Sequence, residues 1–324
     1  PIAPIAKSIS QPGGGLPTAR LKILQALLTR RAAPPSKNFP LHSAFKRTIL
    51  CVVNNGAQAY TLHFPKGVPM KNTLKEKLAR GEKPLGTFVN TGSAAVVECL
   101  GCTGLDFVIL DNEHSPIEAE TTATLVRAAE CRGLTPLARV REISRPAILK
   151  LLDVGVQGLI IPDVRGVEDA RRIIRYAKYA PLGQRGFCPS RKDAWGTADL
   201  GPVPQAMSYF NSQTLLILQC ETAEALAEIE AITALPGVDG IFIGPFDLSI
   251  SLGIPGEFEN PAFRAALERI LAACRRTGKP CLIFAGDGTA AAHRFSQGFD
   301  AVAMGQDATL LISGVRQQIA ACRG

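Results

Sequence analysis

The chain of 324 residues lacks the features that would assign it to a membrane or zinc-binding class. It has no stretch of about 18 uncharged apolar residues, the length that a membrane-spanning helix needs. Its nine cysteines include one C-x-x-C pair, Cys99 and Cys102, and no second pair to complete a zinc site. Because these two lie in an apolar helical pattern, we expect them to be buried. Cysteines scattered without a disulfide framework predict a soluble protein of a reducing compartment, the cytoplasm.

Acidic residues are absent from positions 1–69, which carry nine basic residues and nine prolines. The remaining positions carry 27 Lys and Arg against 28 Asp and Glu, so they form no basic surface for nucleic acid. We expect residues 1–69 to be a disordered or non-native extension and residues 70–324 to be the folded domain. Three origins of the extension stay open: upstream sequence translated by mistake, a transit peptide that would direct the protein to mitochondria, or a structured extension.

No G-x-G-x-x-G motif follows the first predicted strand, which argues against an open dinucleotide-binding sheet. Short apolar runs instead alternate with helical patterns, as in parallel βα units. Eight such units in about 250 residues predict an α/β fold of the (β/α)8 TIM-barrel type. The predicted strands are 86–89, 107–110, 135–139, 158–161, 215–219, 240–243, 280–284 and 301–304. Helices are predicted at 167–179 and 261–277.

A long irregular segment, residues 181–213, interrupts this alternation and contains the only tryptophan, Trp195. Long loops on a barrel are commonly functional. We therefore expect this segment to be an active-site cover or a subunit contact.

Charged residues follow four of the predicted strands. They are Asp111 and His114 after the second, Arg139 after the third, Glu221 after the fifth and Asp247 after the sixth. Because the active site of a barrel lies where strands end and βα loops begin, we expect these side chains to share one rim.

Glu221 and Asp247 are 26 residues apart, about one βα unit, and should end adjacent strands. Two carboxylates brought together repel each other unless a proton or a cation joins them. An oxygen-preferring divalent ion, Mg²⁺ or Mn²⁺, suits such a pair. Helix capping is the alternative interpretation, and it suits Asp247 better than Glu221.

His114 is one of two histidines after residue 70. The spacing of Ser115–Glu118 is typical of a capping box, which predicts a helix start here and a neutral imidazole at its positive end. Asp111 is placed to orient the ring. Arg139, which we prefer to Arg141, would suit an anionic or enolate oxygen.

These residues and their neighbours resemble the HpcH/HpaI aldolase family over about residues 72–324. The motifs that carry the resemblance are Asp111–Pro116, Arg139, Leu151–Gly155, Pro162, Arg185–Gly186, Gln219–Thr222 and Gly237–Ser249. The resemblance implies a metal-dependent class II aldolase that splits 4-hydroxy-2-oxo acids, such as 4-hydroxy-2-oxoheptanedioate or 2-keto-3-deoxy sugar acids, into pyruvate and an aldehyde.

The resemblance also implies the role of each site residue. The residues matching Glu221 and Asp247 hold the metal, which is Mg²⁺, Mn²⁺ or Co²⁺. The residue matching Arg139 stabilises the enolate oxygen, and the one matching His114, oriented by the one matching Asp111, transfers the proton. Further substrate contacts are assigned to Gln219, Gly244, Pro245 and Phe246. The family pattern also implies a homo-oligomer, usually a hexamer that exchanges its last helix, here 308–322.

Three residues depart from the family pattern, namely Asn112, Asp163 and Cys220, and they put the specificity in doubt rather than the chemistry. A related lyase that cleaves a CoA ester, as in the citrate-lyase β branch, would need a cationic cluster for CoA, and we find none in residues 181–213. A catalytically silent metabolite-binding barrel should have lost a site residue. A Schiff-base aldolase needs a lysine on a barrel strand, and none of the eight predicted strands contains one.

Overall fold

The computed structural model describes residues 47–53, 56–62 and 66–323. The first two ranges form an antiparallel pair of strands, β1 (Arg47–Val53) and β2 (Gly56–Leu62). They belong to a unit that ends at His63, and a second unit, which contains the barrel, begins at Phe64. Most of the segment expected to be an extension, residues 1–46, lies outside the described residues. The domain boundary at residue 70 therefore stays a prediction.

Eight parallel strands close into a barrel in chain order, with the last strand paired to the first. This confirms the predicted (β/α)8 fold. The strands are β3 (Leu85–Val89), β4 (Phe107–Asp111), β5 (Thr135–Arg139), β6 (Gly158–Ile161), β7 (Leu215–Cys220), β8 (Gly240–Ile243), β9 (Cys281–Ala285) and β10 (Ala301–Gln306). Their residues are almost all buried, because helices cover one face and the barrel interior lies on the other.

Helices surround the barrel. They are α1 (Thr73–Ala79), α2 (Ala94–Gly101), α3 (Ala119–Cys131), α4 (Arg145–Asp153), α5 (Val167–Ala177), α6 (Val203–Gln213), α7 (Ala223–Ala227), α8 (Ile229–Ala234), α9 (Pro245–Ser251), α10 (Pro261–Thr277), α11 (Gly288–Ser296) and α12 (Asp307–Arg323). The predicted helix 261–277 is confirmed. The helix predicted at 167–179 ends at Ala177, because Lys178 has an extended backbone with φ −101° and ψ 146°.

Helix α1 closes the amino-terminal end of the barrel. Leu74 is fully buried and packs into the cluster of side chains that fills the barrel interior. Asn72 caps the helix by accepting from Lys75 N at 2.9 Å, while its own amide donates to Gln157 O at 2.7 Å and to Gln213 O at 2.9 Å. Because α1 closes the amino-terminal end, we expect the active site at the opposite end, where the carboxyl ends of the strands lie.

Residues 181–213, which we predicted to be irregular, contain helix α6 at their carboxyl end and pack beside this same closed end of the barrel. Arg185 donates to Asp153 Oδ1 at 2.8 Å, and the buried Lys192 donates to Cys188 O at 2.6 Å. The backbone of Met70 donates to Lys192 O at 3.0 Å. Among the described residues, none of this segment lines the cleft at the other end of the barrel. Within a single chain the segment is therefore not an active-site cover, and its role as a subunit contact stays a prediction.

The expectation about the burial of the C-x-x-C pair is wrong. Cys99 and Cys102 are exposed rather than buried, because α2 buries only Val97 fully against its neighbours. None of the helices in the described ranges is long and apolar enough to cross a membrane.

Candidate active site

A cleft of about 740 Å³ lies at the carboxyl ends of the barrel strands. His114, Glu221 and Asp247 line it, together with Glu113 and Asp163. Four of these side chains come from the loops after β4, β6 and β7, and Asp247 comes from the first turn of the helix that follows β8. The barrel thus brings together residues that are up to 134 positions apart in the chain, from Glu113 to Asp247.

The innermost charged groups are a buried ion pair. Arg139 donates to Asp111 through both Nε, at 2.8 Å to Oδ1, and Nη2, at 2.7 Å to Oδ2. The pairing follows from the register of β4 and β5, which sets the two residues opposite each other. Burial alone would raise the pKa of Asp111, but the hydrogen bonds and charge of Arg139 outweigh it and hold the pKa below its usual value. The pair fixes the guanidinium in one orientation.

The predicted contact between Asp111 and the His114 ring is not present. Asp111 instead accepts from the backbone N–H of Glu113 at 3.1 Å and of His114 at 3.4 Å, and from Asn90 Nδ2 at 2.9 Å. The His114 side chain is 65% exposed, and its Nε2 lies 3.6 Å from Glu113 Oε2. Asp111 therefore positions Arg139 and the turn that carries His114, whereas the proton-transfer role of His114 stays a prediction.

The helix start predicted at Ser115–Glu118 is wrong. Helix α3 begins at Ala119, with Glu118 at its N-cap. Ser115 Oγ donates to the backbone O of Asp111 and accepts from Ile117 N at 3.2 Å. These local side-chain bonds satisfy the backbone in a turn, so His114 does not stand at a helix N-terminus.

Glu221 is buried at the end of β7. Its Oε1 accepts from the backbone N–H of Asp163 at 2.8 Å, and its Oε2 accepts from Gln219 Nε2. Burial, with a smaller contribution from the charge of Asp247, raises the pKa of Glu221 to about 7, against the lowering effect of the Asp163 hydrogen bond. A Cβ at Gly244 would lie 2.6 Å from Glu221 Oε2, so only glycine leaves room here. In the metal-free protein, ionisation of Glu221 therefore destabilises the folded state, and a bound cation would offset this destabilisation.

The donor set around Glu221 suits a divalent ion. Asp247, in the first turn of α9, lines the same cleft. Gln219 Oε1 is buried and lacks a hydrogen-bond partner among the described residues. In residues 66–323 we find no group of three or more His, Cys, Asp or Glu that could hold a metal. Two carboxylates with open positions for substrate and water are the arrangement that Mg²⁺ and Mn²⁺ accept.

The residues assigned to substrate contacts divide into two groups. Gln219 and Gly244 lie directly beside Glu221, and Pro245, the first residue of α9, is buried. Phe246 is 55% exposed, and its ring packs edge-on against Phe258 with centroids 5.1 Å apart. None of these four residues is among the described residues that line the cleft. Their substrate contacts therefore stay predictions.

Two further residues belong to the site, although we did not single them out from the sequence. Glu113 Oε2 lies 3.2 Å from Arg139 Nη1, so this carboxylate connects the buried ion pair to the cleft. Burial raises the pKa of Glu113 to about 7, against the lowering effect of Arg139. Asn90 donates to Asp111 and keeps a buried Oδ1 without a partner in the described part of the chain. Both residues come shortly after a predicted strand, and this position was the feature of the sequence that could have identified them as site residues.

The model of the HpcH/HpaI aldolase/citrate lyase family matches residues 85–314. Two curated relatives are each 34% identical to the chain. The 2-dehydro-3,6-dideoxy-6-sulfogluconate aldolase of Pseudomonas putida aligns over 76% of this chain and 95% of its own length. The pyruvate aldolase of Rhizobium etli aligns over 75% and 94%. Among solved structures, an HpcH/HpaI aldolase/citrate lyase family protein from Burkholderia cenocepacia is 31% identical, with a TM-score of 0.73 over 78% of this chain and all of its own.

Proposed function

The chain belongs to the HpcH/HpaI aldolase/citrate lyase family, and on that premise we propose a metal-assisted aldol reaction at the cleft described above. It is a carbon–carbon lyase of the class II aldolase type, which splits 4-hydroxy-2-oxo acids into pyruvate and an aldehyde. The observation that carries the site assignment is the position of buried Glu221 and of Asp247 on one cleft, next to a guanidinium held in place by Asp111.

We assign Glu221 and Asp247 as the residues that would hold Mg²⁺ or Mn²⁺. A divalent ion bound there would supply Lewis acidity toward the oxygens of the 2-oxo acid. Gln219, with its free Oε1, and the close approach allowed by Gly244 would shape the space beside it.

Arg139 is the residue that we assign to the enolate oxygen. The two bonds to Asp111 use its Nε and Nη2, whereas Nη1 lies 3.2 Å from Oε2 of Glu113, a residue that lines the cleft. A guanidinium fixed in this way needs no reorganisation when negative charge develops on the substrate. Its orientation is therefore set before the reaction begins.

His114 is the residue that we assign to proton transfer. In cleavage the base removes the proton of the C4 hydroxyl, and the bond between C3 and C4 breaks as the aldehyde forms. The electron pair passes to the enolate of pyruvate, which then takes a proton at C3. Glu113, 3.6 Å from His114 Nε2, is the neighbouring group that can accept or return this proton. No atom is gained or lost in the exchange.

Mass spectrometry of pyruvate incubated with a panel of aldehydes tests the function. We expect condensation products with Mg²⁺ or Mn²⁺ and none with excess chelator. Glu221→Ala and Asp247→Ala should abolish turnover without unfolding the protein, and borohydride with pyruvate should leave the enzyme unmodified. Full activity in chelator, or a trapped adduct of pyruvate mass, would overturn the proposal.

We also propose a homo-oligomer formed through the last helix. Helix α12 exposes four large apolar side chains, Leu311, Ile312, Val315 and Ile319. An apolar face of this kind is typical of an interface between subunits. The eight cysteines of residues 66–323 are all free, which supports a reducing compartment such as the cytoplasm.

A further inference from the structure

The wall of the active-site cleft carries an excess of negative charge. Seven carboxylates line it, against three guanidiniums. The carboxylates belong to Glu113, Glu142, Asp163, Asp169, Glu221, Glu224 and Asp247, and the guanidiniums to Arg141, Arg165 and Arg172. A divalent ion would cancel two of these negative charges, and the carboxylate of pyruvate would add one back. The second substrate therefore enters a space whose surroundings remain anionic.

Arg165, one of these three guanidiniums, is already paired twice. Its Nη2 lies 3.0 Å from Asp163 Oδ1, and its Nη1 lies 3.5 Å from Glu224 Oε1. Asp163 has a φ of 51°, a left-handed conformation that is uncommon outside glycine. In this conformation its N–H donates to Glu221 while its carboxylate faces Arg165. The backbone thus places a negative charge beside this cation.

The other two guanidiniums of the wall are paired as well. Arg172 Nη2 lies 2.7 Å from Asp169 Oδ1, and Arg141 Nη1 lies 3.1 Å from Glu118 Oε1. In the part of the chain that the structure describes, every cation lining the cleft has a carboxylate partner. An anionic group on the second substrate would have to compete with one of these carboxylates for its cation.

We propose that the aldehyde partner of this enzyme is uncharged, rather than an aldehyde that bears a carboxylate, phosphate or sulfonate. The inference rests on the proposed aldolase function and specifies its substrate class. Like charges placed together at a binding site disfavour the wrong partner strongly, whereas an uncharged aldehyde meets no such repulsion. The carboxylates of the wall can also accept hydrogen bonds from hydroxyl groups of such an aldehyde.

A pair of aldehydes matched in size tests the inference. Glyceraldehyde and tartronate semialdehyde have the same carbon skeleton and differ in a terminal hydroxymethyl or carboxylate group. With pyruvate and Mn²⁺ at low ionic strength, we expect kcat/KM to favour glyceraldehyde by about tenfold or more. Added salt should narrow the ratio, because the screening length falls from about 10 Å at 0.1 M to about 3 Å at 1 M.

Removing one charge from the wall provides the second test. Glu224→Gln removes one of the two carboxylates that pair with Arg165. We expect the ratio of kcat/KM for glyceraldehyde to that for tartronate semialdehyde to fall by about threefold, the effect of one charge several ångströms away in a water-filled cleft. Glu98→Gln is the control of equal charge, since Glu98 lies in α2 and pairs with Arg132 at 3.2 Å, on the outside of the barrel. The control should leave the ratio unchanged.

Equal or higher kcat/KM for tartronate semialdehyde in the wild type would overturn the inference. So would a preference that neither salt nor Glu224→Gln reduces. Failure to condense any aldehyde with pyruvate would instead count against the aldolase function itself, so the two failures are distinguishable.

Discussion

Replacing Glu221 by glutamine should abolish metal-dependent turnover and yet stabilise the metal-free protein at alkaline pH. Glu221 is only 7% exposed and lines the same cleft as Asp247. Glutamine keeps the size and one acceptor for the Asp163 N–H, but it carries no charge. The substitution therefore removes the cost of the buried charge and, with it, a ligand of the metal.

The size of the effect follows from the pKa. Burial raises the pKa of Glu221 from 4.5 to about 7. A tenfold change in proton affinity is worth about 1.4 kcal/mol, so the charged form costs the folded state about 3 kcal/mol. The pKa of Glu221 is higher in the folded protein than in the unfolded chain. The wild-type protein therefore has its full free energy of unfolding below pH 4.5, and this free energy falls as the pH rises through 7. Glutamine does not titrate and loses nothing over the same range.

Urea unfolding in excess chelator at pH 5 and pH 8 measures the difference. The free energy of unfolding of Glu221→Gln minus that of wild type should be larger at pH 8 than at pH 5, by about 1–3 kcal/mol. Glu224→Gln, an exposed carboxylate of the same cleft, is the control and should show no such rise. Mg²⁺ should stabilise wild type and not Glu221→Gln. An equal difference at both pH values would refute the assignment of a buried, repelled carboxylate at this position.

Three further predictions concern the remaining site and the domain boundary. Asp111→Asn removes the carboxylate that accepts from both Nε and Nη2 of the buried Arg139, so we expect a loss of about 1–3 kcal/mol in urea unfolding and a lower kcat; an unchanged kcat would contradict the positioning role. His114→Ala should slow aldol cleavage and pyruvate proton exchange by roughly 10²–10⁴-fold, and near-normal deuterium exchange by NMR would assign the proton transfer to another group. A chain that begins at Met70 should be as soluble and active as the full chain; an inactive truncation beside an active full chain would move the boundary.

Much of the barrel was predictable because parallel strands buried on both faces have continuous apolar sequences. Phe107–Asp111 and Gly240–Ile243 are surrounded by turn and helix patterns, which mark their ends to within a residue or two. The positions of Glu221 and Asp247 after neighbouring strands followed from the same periodicity, because every βα unit ends its strand at the same rim.

Side-chain partners were not predictable in this way. Asp111 is three residues from His114 in sequence, but the register between β4 and β5 sets it opposite Arg139. A bidentate bond to a guanidinium is stronger than a bond to an imidazole ring, and it takes both carboxylate oxygens. The turn that carries His114 also moves the start of α3 to Ala119.

The sequence by itself therefore determined the alternation of strands and helices, the closed barrel and the rim on which the charged residues lie. Only the tertiary structure decided which charges meet, including the pairing of Asp111 with Arg139 and the burial of Glu113 beside Arg139. The reason is physical. Periodicity and burial are properties of neighbouring residues in one segment, whereas an ion pair depends on the register of two strands that barrel closure brings together.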